Sequence, residues 1–525
     1  MERCVYKYLY NYIIDNNLLY SKQAGFLSGQ YQLLDLYHQI VQSYDKKNHT
    51  CIVFCDISKA FDRVWHKGLL FKMQQLGIQG SFLKWLENYL NDRQQQVCIG
   101  QAKSTLNYVK AGVPQGSVLG PLLFLVYVND ITENLVSVAR LFADDSSLSS
   151  TISSVNELEN ILNHDLNIIS QWSKQWLVSF NPVKTEVLYY GNGEPPNLIF
   201  DDTVLIPVEK HKHLGVTLDS NCKWSTHINT IISSSSKILG ILRKIKYTVS
   251  RKALNQIYLS FLRPQLEYAC VVWDNCNQSE KNKLEKIQIE AARIVTGLTR
   301  SVSLRKIYNE TGWLTLAERR SYQKLLLMFK IKKIMVPNDL ISLFQRADEN
   351  PLPYNLRSRN DFVIPQQRTT LFSNSFIPSA INSRNSLPEQ IRNSPTISKF
   401  KHDLLDSLFK TNEVPTHFLI GSRRISVIHT RLRNNCINLK SDLHLNHISD
   451  TDECPHCKVS ENAEHFFKCK QYENQRIQLF IDTRQFHPSN VNILLFGDTI
   501  LSQEQNKTII LAVHKYIKTT KRFDE

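Results

Sequence analysis

Apolar residues follow two rhythms along the first 190 residues. Cys51-Ile52-Val53-Phe54-Cys55 is a short unbroken apolar run, and Leu141-Phe142-Ala143 is another, so both predict buried strands. Between them Lys67 to Leu76 and Ser81 to Leu90 carry a helical rhythm, with Trp85, Leu86 and Leu90 on one stripe and Gly77 and Gly80 as punctuation. A tight loop is predicted at Gly112-Val113-Pro114-Gln115-Gly116, followed by an apolar helix that admits Pro121 only in its first turn. Ser154-Val155-Asn156-Glu157 reads as a capping box. After it Leu158, Leu162, Leu166, Ile169, Trp172 and Trp176 recur every three or four residues. The fold class these elements predict is α+β: a small sheet with helices behind it and an open face.

Beyond residue 220 the rhythm is helical throughout. Ile228, Ile231, Ile232, Ile238, Leu239, Leu242 and Ile245 form one stripe, broken at Tyr247-Thr248-Val249-Ser250. Leu254, Ile257, Tyr258, Phe261 and Leu262 form a second, and Leu284, Ile287, Ala291, Ile294 and Val295 a third. Residues 346 to 400 change character, with Pro351, Pro353, Pro365, Pro378, Pro388 and Pro395 among Asn, Ser and Arg. That composition predicts a linker with little regular structure.

Composition narrows the function classes. A chain of 525 residues with 42% hydrophobic residues is long enough for several cores. Lys and Arg total 63 against 48 Asp and Glu, a formal net charge of +15, which points to a polyanionic partner. Between Arg293 and Lys333 there are ten Lys/Arg and two Asp/Glu, so the excess is concentrated on the predicted helices. Eleven cysteines, odd in number and mostly isolated, do not form a secreted disulfide framework, and a reducing compartment is expected. The opening Met1-Glu2-Arg3-Cys4-Val5-Tyr6-Lys7-Tyr8 is charged where a signal peptide is apolar. The stretch Leu122 to Val128 is far short of the ~20 residues that cross a bilayer. An intracellular protein without a membrane span is expected, with nucleus and cytoplasm both open.

Two residue sets carry chemistry. Phe142-Ala143-Asp144-Asp145 places a bare pair of carboxylates between apolar flanks, as at the tip of a β-hairpin, and Asp56 ends the other apolar strand. Two strands that each deliver carboxylates at one end are what a site for two divalent cations requires. Three acidic side chains in one place repel one another without such ions. A lone Asp-Asp pair is more often a turn or a helix cap, so the pairing with Asp56 is what gives the motif weight. Near the C terminus Cys454-Pro455-His456-Cys457 is followed by His465 and Cys469, a C-x2-C-x7-H-x3-C spacing. The close Cys pair suits a tight turn and the later pair one face of a short helix, so four tetrahedral ligands for a structural Zn²⁺ are expected.

The series Phe54-Cys55-Asp56-Ile57-Ser58-Lys59-Ala60-Phe61-Asp62-Arg63-Val64-Trp65-His66, then Ala111-Gly112-Val113-Pro114-Gln115-Gly116-Ser117-Val118-Leu119-Gly120-Pro121-Leu122-Leu123-Phe124, then Leu141-Phe142-Ala143-Asp144-Asp145, resembles the successive palm motifs of reverse transcriptases from non-LTR, jockey-like retrotransposons. Phe180-Asn181-Pro182-Val183-Lys184-Thr185 resembles the next palm motif. His211-Lys212-His213-Leu214-Gly215-Val216 resembles the primer-grip hairpin, and Gln23-Ala24-Gly25-Phe26-Leu27-Ser28-Gly29 a fingers motif, although Gln30-Tyr31-Gln32 departs from the expected Ser/Thr-rich continuation. The resemblance is close to about residue 220 and looser to about 345.

That resemblance implies a right-hand polymerase fold. Incomplete fingers, palm and primer grip would span 1–219, a basic helical thumb 220–345, a connecting region 346–440, a Cys/His zinc-knuckle-like module 441–480 and a tail 481–525. It implies an RNA-directed DNA polymerase working with two Mg²⁺ ions, or Mn²⁺ in their place, on an RNA template, a DNA primer, their RNA/DNA hybrid and deoxynucleoside triphosphates. Asp56 and Asp144 would bridge both ions, with Asp145 auxiliary and the Ile57 carbonyl helping to hold the nucleotide's ion. Gln115, on the loop with Gly116, would contact nucleotide or template, and Lys184 would serve the pyrophosphate as proton donor or charge partner. The family places a bulky ring at the position of Phe61, beneath the incoming sugar. The residue pattern alone fits a core side chain there equally well. Against the family the chain is expected to begin inside the fingers and to lack an endonuclease domain, which keeps a second reading open: a truncated element copy that only binds nucleic acid.

Overall fold

The computed structural model describes residues 1–25, 29–346, 362–409, 415–418, 420–486 and 490–524. The chain divides into two compact units. The first comprises Met1–His227, Val271–Asn275 and Leu327–Leu387, and the second Ile228–Cys270, Cys276–Leu326 and Pro388–Glu525.

The first unit is built on a four-stranded antiparallel sheet of β1 (His49–Asp56), β2 (Val138–Phe142), β3 (Asp145–Ile152) and β4 (Glu186–Tyr190), in the order β2-β3-β1-β4. β1 lies in the middle because its residues can be buried on both faces. Cys51, Val53 and Cys55 point to one side and join a core with Leu122, Leu123, Leu148, Leu158, Leu162 and Leu166. These leucines belong to β3 and to two helices, Gly120–Val128 and Val155–Gln175. The predicted α+β layering therefore holds. Pro121 sits in the first turn of Gly120–Val128. Ser154 caps Val155–Gln175 by accepting the Glu157 N–H, and the helix ends at Trp176.

Alternation sends Thr50, Ile52, Phe54 and Asp56 to the opposite face. Part of that face is covered by the helix Gly29–Lys46, whose Gln39 donates to the Thr151 hydroxyl at 3.0 Å. Beside Phe54 lies the hairpin of β5 (Lys210–His213) and β6 (Val216–Asp219), where the sequence predicts one, and the His211 ring stacks on Phe54 at 3.7 Å. The end of the face carrying Asp56 stays open.

The two helices predicted after β1 are found at His66–Gln75 and Gly80–Leu90. The next element is one that the hydrophobic pattern does not predict. Residues 93–109 form an exposed hairpin with pairs such as Gln94 with Tyr108 and Cys98 with Lys103, on which Val97, Ile99, Leu106 and Tyr108 are solvent-exposed. Of the fingers-like motif, residues 26–28 lie outside the described residues.

The second unit is helical. Its helices follow the predicted stripes: most of Ser225–Ile245, then Arg251–Ile257, continued by a wider turn over Tyr258–Leu262, and Gln278–Thr296. Asn277 and Glu280 form a reciprocal capping box on the last of these, and Gly297 ends it in the left-handed conformation at φ 79°. A separate core gathers Leu432, Phe466, Leu479, Leu494, Val513 and Tyr516.

Two expectations need correction. The stretch 346–400 is not short of regular structure where it is described: helices occupy Thr370–Ser373, Phe376–Asn385, Glu389–Arg392 and Ile397–Leu404. Two of its prolines start helices rather than forbid them, with Pro378 in a first turn and Pro388 at an N-cap, while Pro351 and Pro353 lie outside the described residues. The segment is anchored by Asp45, whose carboxylate accepts the N–H groups of Arg368 and Thr369 and the Thr369 hydroxyl. Nor is the basic run from Arg293 to Lys333 a single solvated face. Arg319 makes two bonds of 2.7 Å to Glu267, Arg293 pairs with Glu290, and Arg320 and Lys324 are buried. Arg300, Arg305 and Lys306 are the exposed cations that remain clustered.

Candidate active site

Three carboxylates meet at the open end of the sheet. β2 and β3 are joined by Ala143 and Asp144 alone, because Phe142 pairs directly with Asp145. Ala143 takes the left-handed conformation, φ 57°, that a two-residue hairpin loop demands. On its other side Asp145 is the register partner of Asp56, which ends β1. Directly opposed residues hold their Cβ atoms about 4.5–5.5 Å apart. Asp144 therefore sits at the tip of the hairpin next to a facing carboxylate pair, as the sequence predicts. Partial desolvation, then the charges of Asp144 and Asp56, push the Asp145 carboxyl above its ordinary range. None of the three forms a salt bridge among the described residues, and the one side-chain charge that eases Asp145 is the more distant His211.

Several loops converge on this end. Asp56 is followed by Ile57, buried and bridged to Phe180, and the Ser58 N–H donates to the Ser179 carbonyl at 2.8 Å. The Asn181 N–H donates to the Asp56 carbonyl at 2.9 Å, which ties the turn Pro182–Lys184 to the end of β1. Lys184 is exposed on that turn.

Phe61 lies in a short 3-10 turn, Ala60–Asp62, that leaves β1 through Lys59 at φ 52°. Its ring stacks on Phe124 at 4.5 Å and is half-buried against the core. The backbone of the Gly112–Gly116 loop is fastened to this turn: Val113 N–H donates to the Phe61 carbonyl and Gly112 N–H to the Val64 carbonyl, both at 2.8 Å. Gly112 is required for that approach, since a Cβ there would stand 2.8 Å from the Asp62 carbonyl oxygen. Gln115 donates its amide to Asp62 at 2.8 Å, so its exposed side chain is held rather than loose. Gly116, at φ 79°, has open space beside it.

His211 is a neighbour that the residue pattern does not single out for this site. Its Nδ1 meets the Glu186 carboxylate at 2.6 Å, and burial keeps its pKa below the ordinary value despite Glu186 and Asp145. The positional signal is its place in the hairpin motif. A second is Arg140, buried on the same sheet face, which donates to Asp35 at 2.6 Å, Ser149 at 2.6 Å and Gln39 at 2.9 Å.

In the second unit Cys454, Cys457, His465 and Cys469 gather with their ligand atoms all within 4.8 Å of one another. Cys454 and Cys457 lie on a tight turn closed by Cys454 N–H to Val459 carbonyl at 2.7 Å, with Lys458 left-handed at φ 56°. His465 is carried by the helix Ala463–Lys468, capped by Asn462, and Cys469 ends that helix. The Sγ of Cys469 is 3.8 Å from that of Cys454 and 3.7 Å from that of Cys457. A tetrahedral zinc with Zn–S bonds near 2.3 Å has S···S edges of about 3.8 Å. His465 Nε2 is buried without a hydrogen-bond partner among the described residues, as a ligand nitrogen would be. The Cys457 thiol is held below its ordinary pKa by the backbone N–H of Lys470, which favours the thiolate a metal binds.

Comparison with known proteins bears on the first of these two places. Residues 1–218 match the family model described as "Reverse transcriptase (RNA-dependent DNA polymerase)". Among curated relatives, the "Probable RNA-directed DNA polymerase from transposon BS" of Drosophila melanogaster is 28% identical over 313 residues, 56% of this chain and 34% of the relative. The "RNA-directed DNA polymerase from mobile element jockey" of the same organism is 29% identical over 278 residues, 50% of this chain and 30% of the relative. The chain thus matches about a third of the length of these relatives. Among solved structures, apo telomerase from Candida tropicalis is similar at a TM-score of 0.37 and 10% identity, over 57% of this chain and 50% of that one.

Proposed function

We propose that this chain, whose residues 1–218 are a reverse transcriptase domain related to those of jockey-type non-LTR elements, is an RNA-directed DNA polymerase that extends a DNA primer on an RNA template. The observation that carries the reading is the meeting of Asp56, Asp144 and Asp145 at one open sheet end, none of them in a salt bridge among the described residues. Nucleotide addition is an in-line phosphoryl displacement. Two divalent ions, Mg²⁺ or Mn²⁺, supply nucleophile activation and neutralisation of the leaving pyrophosphate. Asp56 and Asp144 would hold such ions, with Asp145 auxiliary and the Ile57 carbonyl helping to hold the nucleotide's ion.

The other residues bind and orient. Gln115, held by Asp62, and the open backbone at Gly116 offer a surface to nucleotide and template. Phe61 is fixed in place by Phe124 and by the loop bonded to its carbonyl, so its ring is rigid enough to exclude a 2′-hydroxyl from the sugar site. Lys184, on a turn tethered to Asp56, brings a cation or a proton to the pyrophosphate. Arg300, Arg305 and Lys306 and the helices from Ser225 to Thr296 are read as a thumb that tracks the phosphates of an RNA/DNA hybrid by shape. The Cys/His cluster is read as a structural zinc site, with Cys454, Cys457, His465 and Cys469 as its ligands. No helix among the described residues is long and apolar enough to cross a membrane. The test is extension of a labelled DNA primer on an RNA template with deoxynucleotides. Extension that needs added Mg²⁺ or Mn²⁺ supports the reading, and none with either ion contradicts it.

A further inference from the structure

The hairpin loop that carries Asp144 is gripped from outside by a segment 120 residues away in sequence. Residues 22–24 run alongside β2: the Leu141 N–H donates to the Lys22 carbonyl at 3.1 Å and the Ala24 N–H to the Leu141 carbonyl at 2.8 Å, so Gln23 and Leu141 form a parallel bridge. From that bridge the Gln23 side chain reaches past the end of the strand to the turn. Its Oε1 accepts the Gly25 N–H at 2.9 Å and the Ala143 N–H at 3.4 Å. Gln23 is only 7% exposed, and its Nε2 is buried with no hydrogen-bond partner among the described residues. Gly25 completes the grip. A Cβ there would stand 3.1 Å from the Ala143 nitrogen and 2.7 Å from Leu125 Cδ2, so the absence of a side chain lets the segment lie tightly against the turn.

We propose that Gln23 is a positioning residue for the metal site: by holding the N–H of left-handed Ala143 it fixes the two-residue turn, and so the placement of the Asp144 carboxylate against Asp56 and Asp145. The inference rests on Asp144 being a metal ligand. It differs from a packing role because the side chain's one accepting oxygen is shared between Gly25 of its own segment and Ala143, the residue that precedes that ligand. Groups that orient metal ligands from behind typically change metal affinity by ten- to a hundredfold when removed.

The test is binding of Mn²⁺ alone, read by electron paramagnetic resonance, to the full chain and to Gln23→Met, Gln23→Asn, Gln23→Glu and Asp144→Asn. Met keeps the volume without an acceptor, Asn withdraws the acceptor by one methylene, and Glu keeps it in place. Melting curves identify which variants are folded at the assay temperature, and either Met or Asn suffices. Expected are a loss of binding in Asp144→Asn, about tenfold weaker binding in Gln23→Met or Gln23→Asn, and at most about threefold change in Gln23→Glu. Unchanged binding in a folded Gln23→Met or Gln23→Asn, with loss in Asp144→Asn, overturns the role of Gln23 alone. Unchanged binding in Asp144→Asn overturns the metal reading itself and this inference with it.

Discussion

Asp56 and Asp145 are register partners across two strands of the central sheet, and Asp145 is in turn the residue that closes the hairpin loop containing Asp144. One residue thus fixes the mutual placement of all three carboxylates. A one-residue slip of the hairpin against the strand ending in Asp56 would turn Asp145 to the opposite face of the sheet.

The partial desolvation of Asp145 and the like charges around it have a stability consequence. Its carboxyl is pushed above the ordinary range in the folded state, so the folded protein binds more protons than the unfolded chain across the pH interval just above that range. Stability therefore falls as pH rises through that interval. At neutral pH and without divalent ions, Asp145→Asn is expected to be slightly more stable than the unmodified protein, by less than about 1 kcal/mol because the group is exposed. Thermal melts in chelator check this, and lower stability in the variant contradicts it.

The reading of Phe61 as a gate beneath the sugar and its place against the core give two separable expectations. Phe61→Val is expected to raise ribonucleotide use relative to deoxyribonucleotide by roughly ten- to a hundredfold, from relief of a clash of ~1–3 kcal/mol. Because the ring also stacks on Phe124, the same change is expected to cost about 1–3 kcal/mol of stability. The ratio of catalytic efficiencies for the two sugars, measured well below the melting temperature, separates the effects. A ratio that does not move leaves Phe61 as core only.

Acid sensitivity is expected in the second unit. His429 and His514 lie 5.3 Å apart by ring centroids, and burial lowers their pKa values to about 3 and about 4. His417, 4.7 Å from His429, is shifted in the same direction by burial and by His429. The unfolded chain takes up these protons near pH 6.5 and the folded one does not, so stability is lost as pH falls from about 6.5 toward 4. His514→Phe should flatten that slope by about 2–3 kcal/mol over the interval. An identical slope in the variant would assign the acid loss to other groups.

For the Cys/His cluster, elemental analysis is expected to find one tightly held zinc per chain in the purified protein and none in the Cys454→Ser, Cys457→Ser variant. Absence of zinc from the unmodified protein would leave four unligated side chains at that place.

How far the sequence discloses this arrangement varies by element. The strand from Cys51 to Cys55 and the Phe142–Asp145 hairpin are legible because an apolar run ends abruptly in carboxylates. The helix after Ser154 is legible from its cap and period. The hairpin at 93–109 is not, because its paired segments are two residues long and its apolar side chains face solvent, leaving no buried alternation to detect. The helices of 370–404 are hidden by prolines that sit at helix starts. Gln23 is visible as part of a motif, but its grip on Ala143 joins two positions far apart in the chain. The basic run of 293–333 overstates the free charge, since pattern alone does not show that Arg319 is claimed by Glu267.

On the proposed reading, the three carboxylates would serve metal-dependent nucleotide addition and the basic helices would serve hybrid binding. The most direct measurement compares primer extension with RNA/DNA hybrid binding for the unmodified chain, Asp56→Asn and Asp144→Asn at one salt concentration. Extension is expected to fall by several orders of magnitude in both variants while hybrid affinity changes by no more than about threefold. Extension at the unmodified rate, or parallel loss of extension and hybrid binding, would contradict the account.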